Sequence, residues 1–194
     1  MKKLGVIVNP VAGMGGRVGL KGSDGAEILR RARQLGARPE SPRRAIEGLE
    51  VVSRVKDGIE ILTYPAEMGE DECREAGLDT TVIGSVRSGE TAPEDTGRAA
   101  VEMVAAGANL ILFAGGDGTA RNVCDAIGEG APVVGLPAGV KIHSAVYAVT
   151  PRSAGEVAVR FLEGRLTETR AAEVMDIDED AFREGVVAAR LYGY

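Results

Sequence analysis

Leu110-Ile111-Leu112-Phe113-Ala114-Gly115-Gly116-Asp117-Gly118-Thr119 carries more structural information than any other run in this 194-residue chain. Five consecutive apolar residues predict a strand covered on both faces, as in the interior of a parallel sheet. Two glycines, one carboxylate and Gly-Thr follow, and a helix is predicted from about Gly118 to near Gly128. Glycines in such a turn permit positive φ and let phosphate oxygens approach backbone N–H groups. The helix N-terminus behind them adds unpaired donors and a dipole favourable to an anion. Asp117 falls at the carboxyl edge of the sheet, where open α/β sheets bind ligands. There it is placed to accept a proton from an attacking hydroxyl or to help hold Mg²⁺. Asn122 lies one turn beyond Thr119 on the same helix face, within reach of a ribose or phosphate, with an ordinary surface residue as the alternative. A tight turn capped by Asp117 would explain the aspartate; two glycines before it and one after exceed what a cap requires.

Outward from this centre, strands and helices alternate. Leu4-Gly5-Val6-Ile7-Val8 predicts a short buried strand, and a loop with glycines at 13, 15, 16, 19, 22 and 25 follows. Asp24 and Glu27 have the spacing of a helix start, with Gly36 as its stop. Ser41-Pro42 predicts an N-cap with Pro at the first helical position, and Ile46, Leu49 and Val52 then line one face. Ile59 to Thr63 and Thr80 to Ile83 read as strands. Thr91 and Glu94 predict a capping box before a helix buried through Gly97, Ala100, Val101, Val104 and Ala105. Pro132 to Gly135 predicts another strand. Thr150-Pro151 opens a helix with Ala154, Val157, Ala158, Phe161 and Leu162 inward. The pattern predicts an α/β fold: an open, mainly parallel sheet with helices on both faces. Ala171 to Ile177 and Gly185 to Tyr194 look extended, joined through Asp178-Glu179-Asp180. Two isolated strands are marginal in water. The expected division is therefore an α/β domain over 1–165 and, over 166–194, the truncated start of a β-rich second unit, which either pairs elsewhere or docks on the first.

Composition narrows the function classes. The net charge of −6 and pI near 5.0 argue against a dedicated nucleic-acid or anionic-membrane surface. No apolar run reaches the roughly 18 residues of a membrane span, and Asn9-Pro10 ends the first apolar run short of a signal peptide, so a cytoplasmic protein is expected. With 27 Gly, no Trp and only three Phe, the core must be aliphatic. Cys73 and Cys124 imply neither a disulfide framework nor a metal cluster.

Gly115-Gly116-Asp117-Gly118-Thr119 after an aliphatic strand resembles the signature of the NAD kinase, diacylglycerol kinase and sphingosine kinase superfamily. Val8-Asn9-Pro10-Val11-Ala12-Gly13 resembles the Asn-Pro loop after its first strand. Gly135-Leu136-Pro137-Ala138-Gly139-Val140-Lys141-Ile142-His143-Ser144 is similar to the ATP-NAD kinase-like branch related to the acetoin-cluster AcoX proteins. The resemblance implies phosphoryl transfer from ATP-Mg²⁺ or polyphosphate to the 2′-hydroxyl of NAD, giving NADP. It gives Asp117 the base or metal role and makes Gly115, Gly116, Gly118 and Thr119 a phosphate cradle, with Asn9 and Gly13 beside it. No Asn-Glu pair, which NAD kinases use for the ribose, occurs in the chain. A lipid or other small-alcohol kinase of the superfamily and a non-catalytic nucleotide-binding module are the alternatives.

Lys141 and His143 lie on the loop begun by Pro137 to Gly139, near the expected sheet edge. Lys141 is placed to stabilise charge on transferring phosphate oxygens. His143, the single histidine, is read either as a ligand contact or as a hydrogen-bonded structural residue. Residues 13–21 lack Walker A spacing, and Asp176 to Asp180 lacks the Gly and Glu that complete an EF-hand loop. The expected partners are small-molecule nucleotides, with no nucleic acid and no membrane, and a homo-oligomer is left open.

Overall fold

Strand β1 (Lys2–Val8) is buried from Leu4 onward, because strands pair with it on both sides and helices cover both of its faces. The computed structural model describes residues 1–14, 30–31, 34–139, 142–177 and 189–194. Helix α1 (Ser41–Val52) leads through a 3₁₀ turn to β2 (Ile59–Thr63), which pairs parallel to β1. The short α2 (Glu70–Glu75) precedes β3 (Thr81–Val82), and α3 (Pro93–Ala105) returns the chain to β4 (Leu110–Gly115). Helix α4 (Asp117–Ile127), β5 (Val133–Pro137) and α5 (Pro151–Leu162) complete the layer. The sheet order is β3-β2-β1-β4-β5 and every pairing in it is parallel. Strand order reverses between β1 and β4, where Val8 stands in register with Ala114. The carboxyl ends of these two strands are therefore the topological switch point, the place where such sheets bind ligands.

The two helical layers explain the aliphatic composition. Leu4, Val6, Val8 and Leu112 face Ala45, Leu49, Ala154 and Ala158 of α1 and α5. Ile7, Ile111 and Phe113 face Ala99, Met103, Ala120 and Val123 of α3 and α4. Alternate residues of β1 and β4 thus enter opposite cores, as the period-2 geometry of a strand demands.

Several local expectations are corrected. The N-cap of α1 is Glu40, and Ser41 is buried in the first turn rather than capping it. Helix α3 starts after Ala92, whose N–H donates to Asp95 Oδ2 at 2.8 Å, so the cap sits one residue later than a Thr91–Glu94 box. Its buried stripe is Thr96, Ala99, Ala100 and Met103, while Val101 is 48% exposed. Of the expected stripe, Ala100 is buried, Val104 packs against the core and Gly97 lies against Ala126 of α4, whereas Ala105 is exposed like Val101. Strand β3 keeps only two exposed residues, as an edge strand does. At α5 the expected cap is present: Ser153 N–H donates to Thr150 Oγ1 at 3.1 Å and Thr150 N–H to Ser153 Oγ at 2.8 Å. The helix expected after Asp24 lies largely outside the described residues.

Strands β6 (Val174–Ile177) and β7 (Ala189–Gly193) form a small antiparallel sheet. It docks on α4: Val174 joins the core beside Ala120 and Val123, and the Tyr192 hydroxyl donates to Asp125 at 2.9 Å. No helix among the described residues is long and apolar enough to cross a membrane.

Candidate active site

Three loops meet at the carboxyl edge of the sheet: the one after β1, the β4–α4 turn and the one after β5. In the β4–α4 turn, a Cβ on Gly115 would fall 2.2 Å from Thr119 Oγ1, so only glycine lets the first turn of α4 fold back over the strand end. Gly116 is the N-cap, with extended φ −121° and ψ −171° and open space where a Cβ would point. The turn does not use the positive φ that glycine permits: Gly115, Gly116 and Gly118 are not among the left-handed glycines. These residues are glycine for closeness and access, not handedness. The N–H groups of Asp117 and Gly118 have no intrahelical acceptor, as at every helix start, and Gly116 brings no side chain to cap them. The Thr119 and Ala120 N–H groups both bond to Gly116 O, at 2.9 and 3.1 Å.

The first loop is tied to this turn. Asn9 N–H donates to Ala114 O at 3.0 Å, and Asn9 Nδ2 donates to Thr119 Oγ1 at 2.9 Å. Asn9 Oδ1 accepts the Val11 N–H at 3.2 Å and turns the chain toward Gly13. There φ is +83°, and a Cβ would lie 2.4 Å from Ala138 O, so glycine is required on both counts. The third loop is held by Ala138 N–H to Gly115 O at 2.9 Å, and the Cβ position of Gly139 lies 3.6 Å from Gly116 Cα.

Asp117 is the hub. Its Oδ1 accepts the Ser144 N–H at 3.0 Å and the Ser144 hydroxyl at 2.6 Å. Its Oδ2 accepts the His143 N–H at 2.9 Å, and His143 Nδ1 lies 3.2 Å from the same oxygen. The His143 N–H also reaches Oδ1 at 3.2 Å. Ser144 Oγ in turn accepts the Met175 N–H at 2.9 Å, and Ala145 N–H bonds to Glu173 O at 2.8 Å, so β6 is stitched to the loop. Beneath, the Tyr147 hydroxyl donates to Gly116 O at 2.6 Å and its ring packs edge-on against Phe113. Burial pushes the Tyr147 phenol well above its ordinary pKa, and the nearby Asp117 carboxylate pushes it further.

The arrangement brings together Asn9, Gly13, Gly115, Gly116, Asp117, Gly118, Thr119, Gly139 and His143. Asn122 stands apart, about 7.5 Å along the α4 axis from Asp117, with its carbonyl against Gly97 of α3. Lys141 lies outside the described residues. Sequence reasoning passed over Ser144 and Tyr147. Ser144 stands in the quoted loop run, but no spacing rule aims a loop serine at a carboxylate 27 residues upstream. Tyr147 carried a weak signal as one of four tyrosines in a chain poor in aromatics.

The fit to Mg²⁺ is decided by the donors around Asp117. A carboxylate offers about four lone-pair sites; the His143 N–H, the Ser144 N–H and the Ser144 hydroxyl donate to three of them, and His143 Nδ1 lies 3.2 Å from Oδ2. Mg²⁺ keeps several waters and is usually held by one or two carboxylates together with substrate phosphates. A Mg²⁺ held directly by Asp117 would compete with the His143 and Ser144 donors for its oxygens.

A parallel sheet with an open, glycine-bordered helix N-terminus at its switch point defines a doubly wound α/β protein of the nucleotide-binding class. The sequence profile of the ATP-NAD kinase N-terminal domain matches residues 4–166, and the chain belongs to this family, which carries kinase-like nucleotide-binding function. No curated protein matches the chain by sequence comparison.

Proposed function

We propose that the chain is a phosphotransferase of the NAD kinase type, moving a phosphoryl group from ATP or polyphosphate to the 2′-hydroxyl of NAD to give NADP. The observation that carries this reading is the start of α4 at the β1/β4 switch point, with no side-chain cap and with open space at the Cβ position of Gly116 among the described residues. Phosphoryl transfer asks a protein mainly for positioning and for donors aimed at phosphate oxygens. Gly115, Gly116, Gly118 and Thr119 form the cradle, with Asn9, Gly13 and Gly139 as its walls. Asp117 sets the geometry of the loop carrying His143, and Lys141 is assigned to the transferring phosphate. Mg²⁺ enters on the ATP phosphates, as part of the substrate.

The test is a thermal-shift panel with ATP-Mg²⁺, polyphosphate, NAD and NADP, followed by a coupled assay for NADP. A ligand at about 100 times its Kd stabilises by roughly 2.7 kcal/mol, a readable rise in Tm. The expected result is stabilisation by a phosphoryl donor and by NAD, and NADP formation that depends on both. Stabilisation by ATP without any NADP at high protein concentration would overturn the assignment of NAD as acceptor.

A further inference from the structure

We infer that Tyr147 is a positioning residue of the phosphate cradle: bonded to Gly116 O, its hydroxyl holds the 116–117 peptide so that the Asp117 N–H is presented to a phosphate oxygen of the phosphoryl donor. This rests on the phosphate site proposed at the head of α4 and is independent of which acceptor is used.

Tyr147 is fixed in place before it reaches the helix. Gly135 N–H donates to Val146 O and Ala148 N–H to Gly135 O, both at 3.0 Å, so the residues on either side of Tyr147 are tied to β5. A Cβ on Gly135 would lie 2.3 Å from the Tyr147 ring, which therefore occupies the place a side chain would take on that strand. On another side stands Phe113 of β4, edge-on, with ring centroids 5.3 Å apart. The hydroxyl of this doubly held ring ends 2.6 Å from Gly116 O.

Gly116 O receives three donors. The Thr119 and Ala120 N–H groups, at 2.9 and 3.1 Å, belong to the first turn of α4 itself. The Tyr147 hydroxyl comes from outside the helix, and a carbonyl oxygen only accepts, so the sense of the bond is fixed. The 116–117 peptide is trans, and in a planar trans peptide the N–H lies opposite the C=O. Gly116 O is turned toward the helix, so the Asp117 N–H points off its N-terminal end. Among the described residues no acceptor meets that N–H, and the Cβ position of Gly116 beside it is open. Helix ends fray, and a peptide held only by its own first turn would swing with it. The bond from Tyr147 ties the peptide to β5 instead, and phosphoryl transfer depends on donors fixed in advance.

The probe is inorganic tripolyphosphate, titrated into wild type, Tyr147→Phe and Tyr192→Phe. Tyr147→Phe keeps the ring and leaves Gly116 O two donors. Tyr192→Phe is the control: it also deletes a hydroxyl bond to α4, at Asp125, about 12 Å along the helix from Asp117. The Kd of Tyr147→Phe is expected to rise about three- to tenfold, the net contribution of one hydrogen bond, while Tyr192→Phe stays within twofold of wild type. In the coupled assay Tyr147→Phe should raise the KM for the phosphoryl donor and leave the KM for NAD unchanged, a split that general loosening of the fold does not produce. In wild-type protein the ¹⁵N–¹H signal of Asp117 should shift on saturation with tripolyphosphate, a readout that needs no variant. The inference is overturned by a Kd rise below threefold in folded Tyr147→Phe, by an equal rise in Tyr192→Phe, by a KM for NAD that rises in step, or by an Asp117 signal that does not move. Tripolyphosphate binding without NADP formation in the wild type overturns NAD as the acceptor and leaves the role of Tyr147 standing. A wild type that binds no tripolyphosphate overturns the phosphate site, and this inference with it.

Discussion

Ser144 Oγ lies 2.6 Å from Asp117 Oδ1, and its hydroxyl also accepts the Met175 N–H, so one side chain joins the head of α4 to strand β6. Ser144 is 5% exposed, which leaves water little access to replace either bond. Ser144→Ala removes a donor from a buried carboxylate and an acceptor from a backbone amide. The expected cost is about 1–3 kcal/mol, read as a lowered urea midpoint. Faster hydrogen exchange at Met175 than at Leu112 in β4 would show that the loss is local to the β6 contact. Unchanged exchange at Met175 would mean that the hydroxyl does not anchor the strand.

Asp117→Asn tests the hub. An amide offers one acceptor oxygen where the carboxylate offers two, and its NH₂ would face the N–H donors of His143 or Ser144. The base or metal role expected from the sequence predicts lost turnover with no change in stability. The geometry revises that: stability should fall by about 1–3 kcal/mol as turnover is lost. Denaturant melts beside NADP assays separate the two effects, and wild-type turnover in the variant would remove Asp117 from the site.

The split between what was legible and what was not follows the range of the interactions. Sheet, alternating helices and the α4 start could be read because apolar runs and the Gly-Gly-Asp-Gly-Thr turn are local patterns. The face of α3 could be read only in part, because Ala, Val and Gly occur all round that helix: Ala100 is buried as expected and Val101 is not. Asn9, Gly115, Gly116, Asp117 and Thr119 were found as motif residues. Their partners Ser144 and Tyr147 were missed because each bond closes a loop of 27 or 31 residues, whose geometry no periodicity encodes.

Gly115 and Gly116 make opposite demands that two alanine substitutions should resolve. A Cβ at Gly115 would strike Thr119 Oγ1 at 2.2 Å and its Cβ at 2.4 Å, so Gly115→Ala must displace the first turn of α4. Overpacking of this kind costs typically about 1–3 kcal/mol. At Gly116 no atom of the described residues beyond the adjoining backbone lies within 4 Å of the new methyl and φ is −121°, so Gly116→Ala should melt like the wild type. Its methyl would project into the space assigned to phosphate. Titration should therefore show weakened ATP binding in Gly116→Ala at unchanged Tm; unweakened binding would move the phosphate site elsewhere.

Away from the site, Glu72 should give the protein a measurable pH dependence. The residue is 4% exposed on α2, and its Oε2 has no hydrogen-bond partner among the described residues. Burial pushes its carboxyl up to about 7, and the negative charges of Asp71, Glu67 and Glu75 add to the rise. An acid whose folded pKa is raised binds more protons folded than unfolded between the two values. Stability from this group is therefore full below the unfolded pKa, near 4.5, and is lost as pH rises through about 7. The full swing is on the order of 3 kcal/mol. Urea melts at pH 5 and pH 8 should show the wild type losing stability across that interval. Glu72→Gln, neutral throughout, should lose markedly less and be the more stable of the two at pH 8. Parallel pH profiles for the two proteins would show that Glu72 is solvated in the folded state and ionises normally.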